Sequence, residues 1–563
     1  MIKLTDCLAK FFLVNGSKRA FGLQGGAVVH IFDSLEKYKV NVTYNHHEGS
    51  SALAGVACSK LISKPSLVVV TSGPGGTNAI TGLLAAWQDS IPCIFISGQV
   101  RTDHVSYGKK VRQIGTQESK IVDIVKAITK KSTYVKNKDD FYNVLKESYI
   151  TAISGRPGPV WIDIPLNLQW ELIKEPKNYS IPSIQKIKSK HNYKKFINNF
   201  NTSKKPLLIL GYGLRLSGKL DEYLKIINEK KYKFVTTWTA SDYMPTNFKN
   251  NLGIIGMRGQ RGANKAVFES DFILCLGTHL GIPHTTTLTE NYAPNSQKAI
   301  VNIDDDQLKN LNIKFDYKFN ESLENFIPIF KQLSKPSIDD YVGLKKLNWY
   351  KQKSKVKPNS NIFYYNLTKE SPKKSCFVVD GGGTALYTGF QSLNIKKGQR
   401  VICSSGMSSM GTGLAETIGA FKSGLFKKIY CIIGDGSFLM NIQDLQNIKS
   451  ENIPAVIIVV NNNGYLAIRQ TQEGFLNNKY YGTHPEWSLK MPNIEKISKG
   501  FGFDFIKINK SKDINSGIKK LNNYTKPVIC ELVVSETQGE IFRQKYHIGE
   551  TNYPLPLSEM WPY

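Results

Sequence analysis

Residues 428–464 read "KIYCIIGDGSFLMNIQDLQNIKSENIPAVIIVVNNNG". Two short aliphatic runs each end in a turn of Gly, Asp or Asn, with a helix-like segment between them, so the stretch parses as strand, turn, helix, strand, turn. The spacing predicts a helix over 439–450 with Ile442, Leu445 and Ile448 on one face, and Pro454 ends the connection into the second strand. A right-handed crossover puts the carboxyl ends of both strands at one edge of a parallel sheet, where α/β folds bind their ligands. Asp435 and Asn462 thereby become neighbours. A carboxylate, an amide oxygen and a backbone carbonyl are hard oxygen ligands that suit Mg2+. The turn after "GDG" opens a helix whose free N–H groups can cradle a diphosphate. Singly, "GDG" is a tight turn and "NG" a hairpin turn; the joint spacing carries the reading.

Working outward, the same alternation fills the chain. "RAFGLQGGAV", "VNVTYN", "SLVVVTSGPGG", "IPCIFISGQV" and "GPVWIDIP" occupy the first third, and "PLLILGYG", "KFVTTW", "DFILCLGT" and "KAIVNID" the middle. "CFVVDGGG", "RVICSSG" and "KPVICELVVS" join the opening stretch in the last third. Alternating strands and helices imply parallel sheets. Two charged, proline-containing stretches with few aliphatic clusters, near 171–203 and 333–360, read as linkers. At 563 residues the chain exceeds what one core supports. The expected fold class is therefore α/β, with three doubly wound parallel-sheet domains at 1–172, 190–335 and 358–545 and a C-terminal tail at 546–563.

Composition narrows the partners. Lys+Arg 74 against Asp+Glu 45 gives a formal charge of +29, but the lysines are scattered among Asn and Ile, as in "KYKVNVTYN", rather than gathered into one stripe. A compositional bias accounts for them, and no nucleic acid is expected as a partner. No apolar run reaches membrane-spanning length and the N-terminus lacks a cleavage pattern, so a cytoplasmic protein without a membrane partner is expected. The eight cysteines show no CxxC spacing and read as buried, reduced thiols.

The pattern GDGS followed, one helix and one strand later, by NN resembles the diphosphate and Mg2+ motif of the thiamine diphosphate enzymes. On that resemblance Asp435, Asn462 and the carbonyl of Gly464 hold the metal, while Gly436 and Ser437 touch the diphosphate. "VNVTYNHHEGSSALAGVACSK" resembles the acetolactate synthase segment that supplies an acid to N1′ of the aminopyrimidine, which implies Glu48; by itself an acid at a helix start is a dipole-stabilising residue. "SSGMSSMGTGLAETIGA" is similar to the segment that bends the cofactor, with Met410 wedged between its rings and the Ser408 carbonyl receiving the 4′-amino group. "DGGGTALYTG" fits the diphosphate loop and implies Gly382, Gly383 and Thr384. "TSGPGGTNAITGLLAAWQDSIPCIFISGQV" and "IIGMRGQRGANKAVFESDFILCLGTHL" look like acetolactate synthase segments too, so the resemblance covers nearly the whole chain. It implies pyrimidine-binding, central and diphosphate-binding domains and a homo-oligomer, dimer or tetramer, with shared active sites: Glu48 from one subunit, Asp435 from another. FAD stays open as a further cofactor. "GYGLRLSG" and "IIGMRG" resemble parts of the flavin site of acetolactate synthases, whereas their arginine-rich stretch has become "THLGIPHTTT".

Departures from that family point to the substrate. Acetolactate synthases carry a tryptophan where this chain has Thr471, a phenylalanine where it has Thr116 beside the retained Gln117, and an arginine where it has His279. Exchanging aromatic walls for threonines widens the acceptor half of the pocket and makes it more polar. Pyruvate decarboxylases use an acidic residue where this chain has Gly26, and a histidine pair in the segment around Thr116; His46 and His47 lie elsewhere and read as framing the helix start at Glu48. Gly26, Thr116, Gln117, Ala467 and Thr471 form the expected substrate-binding set. The expected function is decarboxylation of a short 2-oxo acid, with pyruvate the favoured donor, and carboligation of the two-carbon unit to a polar, sugar-like carbonyl acceptor. Acetolactate synthesis proper, and 2-oxo-acid decarboxylation or C–C hydrolysis, are the alternatives within the same transferase and lyase chemistry. A basic scaffold without chemistry is disfavoured because Glu48, Met410, Asp435 and Asn462 are all present. The tail "NYPLPLSEMWPY" is open between a lid over the site and a surface-packed segment.

Overall fold

The structure is a computed structural model that describes residues 1–182, 191–285, 289–336, 341, 343–348, 356–538, 544, 546–547, 553–554 and 557–560. Its frame is three six-stranded sheets, each parallel throughout. The first runs in spatial order Asn41–Tyr44, Arg19–Gly22, Ser66–Val70, Cys93–Gln99, Val160–Pro165, Lys131–Tyr134. The third repeats that winding with Arg400–Ile402, Ser375–Val379, Lys428–Gly434, Ala455–Asn461, Val528–Val533 and Asp504–Ile508. In the second, Asn251–Ile254, Phe234–Thr236, Pro206–Leu210, Phe272–Leu276, Gln297–Asn302 and Tyr317–Asn320 give the sequence order 3-2-1-4-5-6 of dinucleotide-binding folds. Central strands such as Ser66–Val70 and Ser375–Val379 are buried along their whole length. Helices cover both faces, so an unbroken aliphatic run is what the environment selects.

The first and third sheets are joined by helix on helix. Glu48–Ile62 packs along Gly413–Lys422, close enough that a Cβ on Gly419 would stand 2.1 Å from the carbonyl oxygen of Ala54. Phe21, Ala54 and Cys58 share one core with Leu414, Ile418, Cys431 and Ile433. A second bond set crosses the same seam. Buried Lys60 pairs with Asp89 at 2.7 Å and donates to Cys403 O, and Asp89 accepts from the Ser405 hydroxyl and the Gly406 N–H at 3.0 and 2.8 Å.

Several expectations change. The helix expected over 439–450 is two, Asp435–Met440 and Asp444–Ser450, because Asn441 leaves helical geometry (φ −135°, ψ 43°) and donates its amide to Gly411 O at 2.7 Å. Leu445 and Ile448 are still buried together. The stretch read as a linker near 171–203 contains the helix Lys194–Thr202, whose Phe196 and Phe200, four residues apart, enter the central core. Within 333–360, Leu344 and Tyr341 are likewise buried. Most of the tail lies outside the described residues. Leu557 and Met560 are buried, and Met560 Sδ accepts from Asn264 in the central helix Arg261–Glu269. All eight cysteines are buried and unpaired. Among the described residues no helix is long and apolar enough to cross a membrane.

Candidate active site

Strands Lys428–Gly434 and Ala455–Asn461 pair in parallel register, Gly434 opposite Val460, so the turns that follow them meet at the carboxyl edge of the sheet. Asp435 Oδ2 accepts the Gly464 N–H at 2.9 Å and Oδ1 accepts that of Gly436 at 2.8 Å. Burial pushes the Asp435 carboxyl up to about 6, against the pull of those backbone donors. Asn462 is buried; its Nδ2 donates to Thr384 Oγ1 at 3.1 Å, and among the described residues its Oδ1 has no partner. A buried carboxylate beside a buried amide oxygen without a donor is the environment a small hard cation completes. Among the described residues no group of three or more His, Cys, Asp or Glu could hold a metal.

The three asparagines divide the turn's work. Asn461 donates to Glu531 at 2.7 Å and accepts from the Asn463 N–H at 3.0 Å, while Asn463, in the left-handed region at φ 61°, donates to Glu536 at 3.1 Å. Gly464 has φ 122°, and a Cβ there would stand 2.4 Å from Thr483 O, so only glycine closes this turn. Gly436 is needed for close approach, because a Cβ would fall 2.0 Å from the ring of Tyr465.

The other expected residues gather around this turn. Gly382 precedes the helix Gly383–Ser392, whose N-terminus carries no capping side chain, leaving its N–H groups available to an anion. Met410 lies against Gly382, where a Cβ would come 2.1 Å from Met410 Cγ. Ser408 adopts φ 49°, a left-handed conformation that costs a serine about 1 kcal/mol. Its hydroxyl donates to Ser405 O at 3.0 Å, which helps hold that shape. Ser437 is buried in the helix that Asp435 begins. Thus residues 382–384, 408–410, 435–437 and 462–464 form one cradle.

Glu48 stands apart. It begins the helix Glu48–Ile62, where His47 Nδ1 accepts the Gly49 N–H at 3.0 Å as the cap, so His47 frames the helix start as expected. The Glu48 carboxylate is buried and accepts from Asn78 at 3.1 Å. Among the described residues none of its hydrogen bonds reaches the cradle of the same chain. The acceptor-side residues split likewise. Ala467 and Thr471 sit on the helix Leu466–Phe475, which packs on Gly383–Ser392. Thr471 is exposed and its hydroxyl donates back to Ala467 O at 3.2 Å, so its polarity is partly spent on its own helix. Thr116 and Gln117 are exposed, Gln117 at φ 60°. Gly26 is exposed too, and a Cβ there would meet nothing within 4 Å.

Two contributors were missed in the sequence. Arg469, on the same helix Leu466–Phe475, is buried and donates to four carbonyls: Asn462 at 2.9 Å, Asn463 at 3.0 Å, Thr483 at 3.1 Å and Glu536 at 3.0 Å. Asp380, the residue before the glycine run, accepts from the Gly413 N–H at 3.0 Å, and burial pushes its carboxyl up to about 6. Arginine at that helical position and an acid at a strand's carboxyl end were the available signals.

A separate cavity of about 410 Å3 opens where the central sheet reverses its strand order, lined by Tyr212, Trp238, Thr278, His279 and His284 among others. Burial lowers the affinity of both histidines for a proton, His284 to about 3.

Family models match along the chain: "Thiamine pyrophosphate enzyme, N-terminal TPP binding domain" at residues 2–125, the "central domain" at 193–325 and the "C-terminal TPP binding domain" at 381–532. The acetolactate synthase large subunit of Buchnera aphidicola subsp. Acyrthosiphon pisum (strain APS) is 30% identical over 528 residues, covering 89% of this chain and 89% of that protein. That of Lactococcus lactis subsp. lactis (strain IL1403) is 27% identical over 538 residues, 93% and 91%. That of Porphyra purpurea is 28% identical over 549 residues, 93% and 90%. None of these matches lends support to FAD.

Proposed function

Since the chain belongs to the thiamine pyrophosphate enzymes, in an acetolactate synthase-like branch, we propose that it decarboxylates a short 2-oxo acid, pyruvate first among them, and ligates the two-carbon remainder to a polar carbonyl acceptor. The observation that carries the cofactor half is the buried, donor-less Asn462 Oδ1 beside Asp435. Asp435, Asn462 and the Gly464 carbonyl would hold Mg2+; Gly382, Gly383, Thr384, Gly436 and Ser437 would hold the diphosphate; Met410 and Ser408 would contact the organic part of the cofactor. Bound there, thiamine diphosphate supplies the carbon nucleophile and electron sink that 2-oxo-acid decarboxylation needs.

The protein's own work is positional and protonic. Glu48, oriented by Asn78, holds a proton at the pyrimidine N1′. Because its hydrogen bonds do not reach the cradle of its own chain, the complete site takes Glu48 from one subunit and the cradle from another. Exposed Met440, Ile468 and Phe475, on the helices Asp435–Met440 and Leu466–Phe475, offer apolar surface for that second subunit to cover. In the net reaction the bond between the carbonyl carbon and the carboxylate breaks, CO2 leaves, and one carbon–carbon bond forms to the acceptor carbonyl. One proton ends on the acceptor oxygen, and no electrons leave the system.

The acceptor half rests on Thr116 and Thr471, which stand where acetolactate synthases have aromatic rings. A second reading, acetolactate synthesis from two oxo acids, is favoured by the relatives, which are acetolactate synthase large subunits. Incubation with 13C-pyruvate, thiamine diphosphate, Mg2+ and a panel of hydroxylated aldehydes and ketones separates them. Labelled two-carbon transfer to a panel member supports the proposal. Acetolactate undiminished by any acceptor supports the second reading, and free acetaldehyde as sole product would reject both.

A further inference from the structure

The segment between Ser106 and Glu118 is outside the cofactor cradle but touches the turn that supports Glu48. A Cβ on Gly73 would stand 2.6 Å from Gln117 O, and one on Gly75 would stand 3.6 Å from Glu48 Oε1, so loop, turn and acid lie in series. The loop is built around its one carboxylate. Buried Glu118 accepts the Ile114 N–H at 2.7 Å and also that of Ser106, and Gly115 N donates to His104 O at 2.9 Å. Tyr107 packs on Tyr134 with ring centroids 4.7 Å apart. The loop's negative charge is therefore turned inward onto backbone donors.

Its tip is the opposite. Lys109, Lys110 and Arg112 are exposed, and among the described residues none of them forms an ion pair. Lys120 donates its ammonium to Lys109 O and Val111 O at 3.3 and 3.4 Å, placing a fourth cation behind the tip. The neighbouring acid, Asp103, is already paired with Arg101 and His104. Exposed lysines are common in a chain of formal charge +29. These differ in standing on a pinned loop, without counter-charge, beside Thr116 and Gln117 at the acceptor side.

We propose that this tip receives the phosphate of the acceptor, so that the acceptor is a phosphorylated or nucleoside diphosphate-linked polyhydroxy carbonyl compound; the inference rests on the carboligase reading above. Clustered exposed cations act on an anion within about 8 Å at physiological ionic strength and act more weakly as salt rises.

The test uses holoenzyme saturated with thiamine diphosphate and Mg2+, in the parent and in a Lys109→Glu, Lys110→Glu, Arg112→Glu variant. Titration calorimetry with UDP and with ribose 5-phosphate is run at low and physiological salt. The parent is expected to bind at least one probe, more weakly at higher salt. The variant is expected to bind it at least about tenfold more weakly, with melting temperature and thiamine diphosphate affinity unchanged. Tighter binding of UDP identifies a nucleoside diphosphate source, and equal or tighter binding of ribose 5-phosphate a sugar phosphate. Absence of binding to the parent, or equal binding to both proteins, overturns the proposal. Whether the parent consumes pyruvate is measured alongside; failure there rejects the carboligase reading and leaves the binding result to be judged separately.

Discussion

Replacing Asn462 by Leu separates the two ends of its side chain. In the cation-free protein Nδ2 donates to Thr384 Oγ1 at 3.1 Å, a bond worth about 1 kcal/mol net. Oδ1 is a buried acceptor with no donor, and burying such a group costs about 1–3 kcal/mol. Leucine fills a similar space and removes both. The cation-free variant is therefore expected to be as stable as the parent or up to about 2 kcal/mol more stable. Loading reverses the order. A ligand at one hundred times its Kd stabilises the folded state by about 2.7 kcal/mol, and a variant without the amide oxygen forgoes most of that gain. Urea unfolding followed by circular dichroism, with and without saturating thiamine diphosphate and Mg2+, reads both effects. A cation-free loss above about 2 kcal/mol would make Asn462 a structural residue. A cofactor-dependent gain equal to the parent's would mean that the cation is held elsewhere.

Arg469→Met removes a guanidinium from four carbonyls of the Asn461–Gly464 turn and its surroundings; a stability loss of about 3–5 kcal/mol is expected from breaking such a buried network, together with weaker Mn2+ binding measured by electron paramagnetic resonance. Gly26→Asp enters open space, so the variant should melt with the parent while releasing a larger share of free acetaldehyde from pyruvate. Asp163 accepts from Ser97 and Gln99 at 2.5 and 2.9 Å, and burial pushes its carboxyl from 3.8 up to about 7. Its folded pKa is raised, so the stability it contributes is present below about pH 4 and is lost as pH rises to about 7, roughly 4 kcal/mol in all. In Asp163→Asn, urea midpoints at pH 4.5 and 7.5 should differ by correspondingly less than in the parent.

The Asp435–Gly464 turn was legible because one crossover fixes it: aliphatic runs marked both strands, and parallel pairing brought Asp435 to Gly464. The cradle glycines were legible through resemblance, and Gly436 and Gly464 have steric reasons that only neighbouring chain segments reveal. The interruption at Asn441 was not legible, because its amide answers to Gly411, a residue from an earlier loop. Helix Lys194–Thr202 hid in a lysine and asparagine background whose only apolar marks were two phenylalanines and an isoleucine. Arg469 looked like an ordinary helical cation; its four acceptors come from three separate segments. The Thr471 hydroxyl was read as added pocket polarity, whereas the helix uses its proton. Local patterns therefore located the elements and the turn, while residues serving distant backbone groups needed the fold.

The most direct measurement is the partition of the labelled two-carbon unit from 13C-pyruvate, at equal concentrations of pyruvate and phosphorylated acceptor, in the parent and in Thr471→Trp. The acceptor adduct is expected to predominate in the parent, and restoring the aromatic wall is expected to shift label toward acetolactate. Acetolactate predominating in the parent, with no change on substitution, would contradict it.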